Sequence, residues 1–168
     1  YSADFISKVD EEQSTLNVTA LTRSINEVVL KSGRMPKGDN ECLLDHYYMK
    51  MYGYELGDTI ELLSVNDTAV EDILKSSVFT ISGSFTSPQY LSMDYGSTSI
   101  GSGKISGLVM VNPKAFNLDV YTEIDVRLYG TDELQTYSDE YDALVEEQTK
   151  IIEKVGDTRR MTRYFMLK

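Results

Sequence analysis

The sequence predicts an α+β fold in which mixed β-sheets precede one long helix that closes the chain. Three observations point there. Short apolar segments alternating at period two recur between residues 3 and 128, which is the pattern of half-buried strands. A single sustained helical pattern, "SDEYDALVEEQTKIIEKVG", lies near the end. No internal repeat of solenoid length interrupts this order, so strands in the middle and a helix behind them argue for α+β with mixed sheets.

The chain opens with "ADFISKV" and "LNVTAL", whose Ala3, Phe5 and Val9 and then Leu16, Val18 and Ala20 share a side; the polar "DEEQS" between them reads as a hairpin turn. Gly33, Pro36 and Gly38 mark a loop ahead of the short apolar strand "CLL". Asp45 is placed to cap a short helix over "HYYMKMYG", with Leu44, Tyr48 and Met51 or Tyr52 on one face and Gly53 as its left-handed exit. "DTIELLSV" and "SVFTISGSF" follow as strands; the second puts Phe79, Ile81 and Phe85 on one face, with Gly83 marking a bulge. A polar loop from Thr86 to Ser106 leads into "GLVMV". The clearest alternation is "TEIDVRLYG", which predicts a strand with Ile124, Val126 and Leu128 inward. In the closing helix Tyr141, Leu144, Val145, Ile151, Ile152 and Val155 form one stripe. Ser138 or Thr136 caps it and Gly156 ends it, and the basic tail "DTRRMTRYFMLK" is left open between helix and strand.

Composition excludes several classes. With 168 residues and 41% hydrophobic content the chain can build a core without staples. One cysteine, Cys42, excludes an internal disulfide framework and the thiolate-rich zinc modules. Sixteen basic against twenty-seven acidic residues, a net charge of −11, repel phosphate backbones and argue against a nucleic-acid partner. Apolar runs no longer than stretches such as "GLVMV" fall far short of a membrane span. The chain has no initiator Met and its first residues already alternate like a strand, so it reads as a piece of a longer protein.

The residues that invite a chemical reading fail it on their surroundings. "GSTSIGSGKISG" has the Gly103-Lys104 pair of a phosphate loop, but Thr98 stands where the first Gly belongs and Ile105 where the hydroxyl belongs. A strand follows where a helix is needed, so the segment reads as a mobile Ser/Gly loop. Glu41, Cys42, Asp45 and His46 are four metal-ligating types within six residues, yet neighbours one step apart cannot all point at one ion. His46 is the only imidazole available to a nucleophilic site, and no G-x-S-x-G elbow or cysteine-protease signature accompanies it. Asp139, Glu140, Asp142, Glu146 and Glu147 follow the solvated face of the helix. Four of the twelve tyrosines crowd into "DHYYMKMYGY", which suits a partner-contact or carbohydrate-stacking surface but suits ordinary packing of a short helix better. "NVT" at Asn17 and "NDT" at Asn66 say only that these residues suit a surface.

Taken in order, "LKSGRMPKGDNECLLD", "YGYELGDTIEL", "FTISGSFTSPQYLS" and "VYTEIDVRLYG" resemble the extracytoplasmic, MacB-like core domain of FtsX-like ABC transporter permeases, in the version common in Gram-positive bacteria. The positions that carry the resemblance are Leu30, Gly33, Arg34, Pro36, Glu41, Gly57 and Asp58, and it covers most of residues 1 to 155. These are structural punctuation: Gly33 and Gly57 permit turns, Pro36 fixes one, and Arg34 is placed to pair with Glu41. The resemblance implies two lobes, one inserted in the other. Residues 1–29 and 120–168 would form the membrane-proximal, porter-like lobe and 30–119 the inserted, sabre-like lobe. It also implies a non-enzymatic domain at the extracytoplasmic face of the cell membrane, without catalytic, cofactor-binding or metal residues and without a cofactor. Its partners would be its own transmembrane helices, a separate ATP-binding subunit, and an extracellular substrate or accessory protein. Two other classes fit the residues: a free-standing cell-surface binding or adhesion module using the tyrosines, and a hydrolase whose site the motifs do not reveal.

Overall fold

The computed structural model describes residues 1–65, 68–90 and 92–166. They form two compact units, Tyr1–Ile124 and Asp125–Lys168. The fold is α+β: seven described strands share one mixed sheet in the first unit, and a long helix dominates the second. The boundary between the units falls after Ile124. Positions 29/30 and 119/120, the lobe limits implied by the resemblance, lie inside the first unit, where β1 and β2 belong to the same sheet as the strands that follow.

The opening hairpin forms as its alternation predicts. β1 (Ser2–Val9) and β2 (Glu12–Ala20) pair antiparallel from Ser2↔Thr19 to Val9↔Glu12, and Asp10 takes the left-handed conformation that closes the turn, φ +53°. β3 (Val29–Gly33), β4 (Glu41–Asp45), β5 (Thr59–Glu61), β6 (Val78–Thr86) and β7 (Gly107–Val111) complete the sheet in the order β1-β2-β7-β4-β6-β3. β2 with β7 and β4 with β6 are parallel; β4 with β7 is antiparallel. β3 and β5 share one edge of β6, β3 pairing with residues 83–86 and β5 with 78–80.

β6 does not keep all its aromatic residues on one face. The β4–β6 register steps from Cys42↔Ile81 to Leu43↔Gly83, so Ser82 is an extra residue. A bulge of one residue moves every later side chain to the opposite face. Phe79 and Ile81 therefore join the larger core with Leu16, Val18, Cys42, Leu44, Val109 and Val111, whereas Phe85 joins Leu43, Leu108 and Met110 on the other face. The helix α1 (His46–Met51), the helix α2 (Val70–Ile73) and Phe116 cover the first face; Tyr95 of the β6–β7 loop covers the second.

Two expectations near the end of the chain are corrected. Residues 122–130 form no strand; Ile124 is 78% and Val126 52% exposed. Alternation makes a strand only where a sheet edge can pair with it, and here local contacts hold the segment instead: Arg127 pairs with Asp132 at 2.5 Å, and Thr131 Oγ1 donates to Leu128 O at 2.9 Å. The helix α3 (Asp139–Met166) runs through Gly156 to take in the basic tail up to Met166. One glycine costs a helix only about 1 kcal/mol, and no proline follows it. Lys150–Glu146 at 2.6 Å and Arg160–Asp157 at 3.0 Å brace the exposed surface, and Ser138 Oγ caps Tyr141 N at 3.2 Å as expected. None of the described residues of α3 is buried, so its stripe of Ile151, Ile152 and Val155 stays open.

The bulge generates a stability test. Gly33 faces Gly83 across the β3–β6 ladder with φ +73°, and a Cβ on Gly33 would stand 2.3 Å from Ser82 O and 2.7 Å from Gly83 Cα. Backbone cannot give way as a side chain end does. Gly33→Ala is expected to cost at least about 2 kcal/mol in urea unfolding; a loss below about 0.5 kcal/mol would show that the two strands are not in this close approach.

Candidate functional site

Residues that carry the resemblance, from the stretches 33–41 and 57–58, come together around the bulge. Arg34 N donates to Ser82 O at 2.9 Å, and Ser82 Oγ lies 3.1 Å from Arg34 O and 2.9 Å from Cys42 O. The Arg34 guanidinium grips Glu41 with both arms, Nη1 to Oε2 at 2.8 Å and Nη2 to Oε1 at 2.5 Å. Lys37 N and Gly38 N add bonds of 2.7 and 3.3 Å to the same carboxylate, which closes the loop containing the half-buried Pro36. On the other side Gly57, at φ +95°, donates its N–H to Ile81 O at 2.9 Å, and Asp58 O accepts from Ile81 N at 2.8 Å. The Asp58 carboxylate turns back to Glu55 N at 2.8 Å. All these groups serve chain geometry; each carboxylate is committed to the loop it sits in.

The Arg34 hydrogen bond, followed by the Lys37 amide, holds the Glu41 carboxyl at about 2, below its ordinary 4.5. A group whose pKa is lowered on folding adds stability above the unfolded value and loses it as pH falls from about 4.5 toward 2. The drop in urea midpoint between pH 6 and pH 3 is therefore expected to be smaller in Glu41→Gln than in the parent. Equal drops would mean that the ion pair is not formed in solution.

The four metal-ligating types of residues 41–46 are drawn apart. Glu41 belongs to Arg34. Cys42 lies in the larger core, where burial first, and then Glu41, pushes its thiol up to about 12. Asp45 Oδ1 caps α1 through Tyr47 N at 3.0 Å and Tyr48 N at 2.9 Å. Among the described residues no three His, Cys, Asp or Glu side chains converge. A burial-raised thiol is both inaccessible and protonated, so Cys42 is expected to react with a maleimide far more slowly than the same residue in urea; equal rates would contradict its burial.

His46 Nδ1 lies 3.2 Å from Ser84 Oγ, which lies 2.7 Å from Ser32 Oγ. Ser84 is fully buried between β3 and β4, so this hydroxyl–imidazole contact is a strand-to-strand tie with no approach for a substrate. The glycine-rich segment is a closed turn: Thr98 N to Gly103 O, Gly103 N to Ile100 O and Ile105 N to Gly96 O are all bonded, at 3.1, 3.0 and 3.1 Å. Three of its amides are thus bonded within the turn itself. Asn17 is tied to Asp4 and Ser2 at 2.7 and 3.0 Å, and Asn66 lies outside the described residues.

The tyrosine cluster divides between faces. Tyr48 is buried in the core with its hydroxyl 2.6 Å from Ser14 Oγ; Tyr54 stacks on it and the Tyr52 ring lies tilted against it. Tyr47 points the other way, into an open cavity of about 370 Å³ between β3, the start of α1 and the β6–β7 loop. Tyr90 and Tyr95 meet edge to face on its wall, ring centroids 5.2 Å apart. Burial first, and then the charge of the nearby Asp45 carboxylate, pushes the Tyr95 phenol above its ordinary value. The cavity escaped the sequence reading because its walls come from three separate segments; only the count of tyrosines hinted at it. No family model, no curated protein and no solved structure matches the chain.

Proposed function

We propose that this chain is the extracytoplasmic domain of an ABC transporter permease of the FtsX-like type, with a MacB-like core. It carries no bond-making chemistry. It couples ATP hydrolysis by a separate cytoplasmic subunit to transport or mechanical signalling, and contacts substrate or accessory proteins outside the membrane. The observation that supports this reading is the convergence of Gly33, Arg34, Gly57 and Asp58 on Ile81–Gly83, with Glu41 joined to them through Arg34: residues matched only as a sequence pattern make one physical unit. Their roles are those of a scaffold that must hold its shape under load. The hydrolase alternative is disfavoured by the burial of Ser84, beside the only histidine.

The test uses the complete coding sequence in its own cell. Glu11 lies in the exposed β1–β2 turn and Cys42 is buried, so Glu11→Cys places a reactive thiol on this domain, and its labelling is compared with that of the parent. A membrane-impermeant maleimide is expected to label it on intact cells, with the protein retained in detergent-extracted membranes beside an ATP-binding subunit. Labelling only after lysis would overturn the placement. Outside labelling of a protein that carries no flanking transmembrane helices and purifies without an ATPase would instead favour the adhesion module.

A further inference from the structure

We propose that the cavity between β3 and the β6–β7 loop is a binding site for a small amphipathic organic anion, an apolar or aromatic body bearing one carboxylate, sulfonate or phosphate. The inference stands on the cavity and not on the permease reading. Its volume of about 370 Å³ suits a molecule of roughly twenty non-hydrogen atoms. Apolar surface is left open around it: Val29 is 52%, Tyr47 51% and Met93 59% exposed, and all three line it. Isolated exposed apolar groups are ordinary on a surface; three around one concavity, over a wall of two edge-to-face tyrosines, make a place where a ring or an alkyl chain sheds water.

The charge at the site selects the other end of the ligand. Lys31 is the one cation among the described lining residues, in a chain of net charge −11. It is the unpaired residue where the β3–β6 register slips between Leu30 and Ser32, so the ladder does not fix it. Asp45, the one acid among the described lining residues, is buried, and its Oδ1 is engaged by two backbone amides. Lys31 is thus left to meet an incoming anion, while Ser87 and Ser92 supply hydroxyl donors on the same lining.

The probe is 8-anilinonaphthalene-1-sulfonate, an aromatic sulfonate, compared with neutral N-phenyl-1-naphthylamine on the full chain. Saturable binding of the sulfonate is expected, with amide NMR shifts at residues 29–31, 45–47 and 92–95. Lys31→Glu should weaken the sulfonate about tenfold and change the neutral dye less than twofold, because only the ion pair is lost. Met93→Ala should weaken both dyes severalfold. Both side chains are exposed, so neither variant threatens the fold. Sulfonate affinity unchanged in Lys31→Glu, equal losses for both dyes in that variant, or shifts confined to the open stripe of 139–166 would overturn the proposal.

Discussion

The sheet depends on one extra residue. With Ser82 in register, β6 would send Phe79, Ile81 and Phe85 to the same face, and the second face would lose its largest fully buried side chain. The bulge splits them instead, so a single central strand supplies a core to both sides. An inserted residue leaves backbone groups unpaired, and a buried unpaired amide or carbonyl is costly. Here neighbouring segments meet that need: Arg34 N takes Ser82 O, the Ser82 hydroxyl reaches toward Cys42 O and Arg34 O, and the Gly57-Asp58 pair satisfies both backbone groups of Ile81. The glycine pair across β3 and β6 follows from the same constraint, because the strands approach more closely there than a Cβ permits.

Polar side chains in the first unit are similarly absorbed by architecture. Arg34 and Glu41 close a loop, Asp45 turns a strand into a helix, and His46 meets a buried serine. Each arrangement uses a group that elsewhere performs catalysis or binds metal. What distinguishes them is commitment: a carboxylate that already accepts two or three short hydrogen bonds has little capacity left for an ion or a proton transfer. Each of these groups is therefore already engaged by its own local structure.

Local signals were legible where they acted locally. The β1–β2 hairpin, the Asp45 cap, the "CLL" strand and the start of α3 each rest on chemistry within a few residues, and each forms. The reading failed where the outcome depended on distant partners. "TEIDVRLYG" alternates well but finds no edge, and the α3 stripe has the period of a buried face while remaining open. Gly83 was visible as an interruption, but its consequence, the change of face at Phe85, requires knowing that the pairing with β4 skips Ser82. The Arg34–Glu41 pair was legible because seven residues of loop can bring only a few charges together.

The bulge also links the scaffold to the cavity. Turned to the second face, Phe85 joins Leu43 and Met110 in the cluster that carries Tyr95, and Tyr95 in turn supports Tyr90. Without that reversal the β6–β7 loop would have less apolar surface to lie on, and the tyrosine wall would lose its footing. β3 contributes through its own irregularity, since the slip at Lys31 frees this residue from the ladder beside the same wall. Two departures from regular pairing, one in β6 and one in β3, thus build the concavity from strands that would otherwise present a flat edge. A cavity assembled in this way draws its shape from the two irregular strand pairings, although much of its wall comes from the β6–β7 loop.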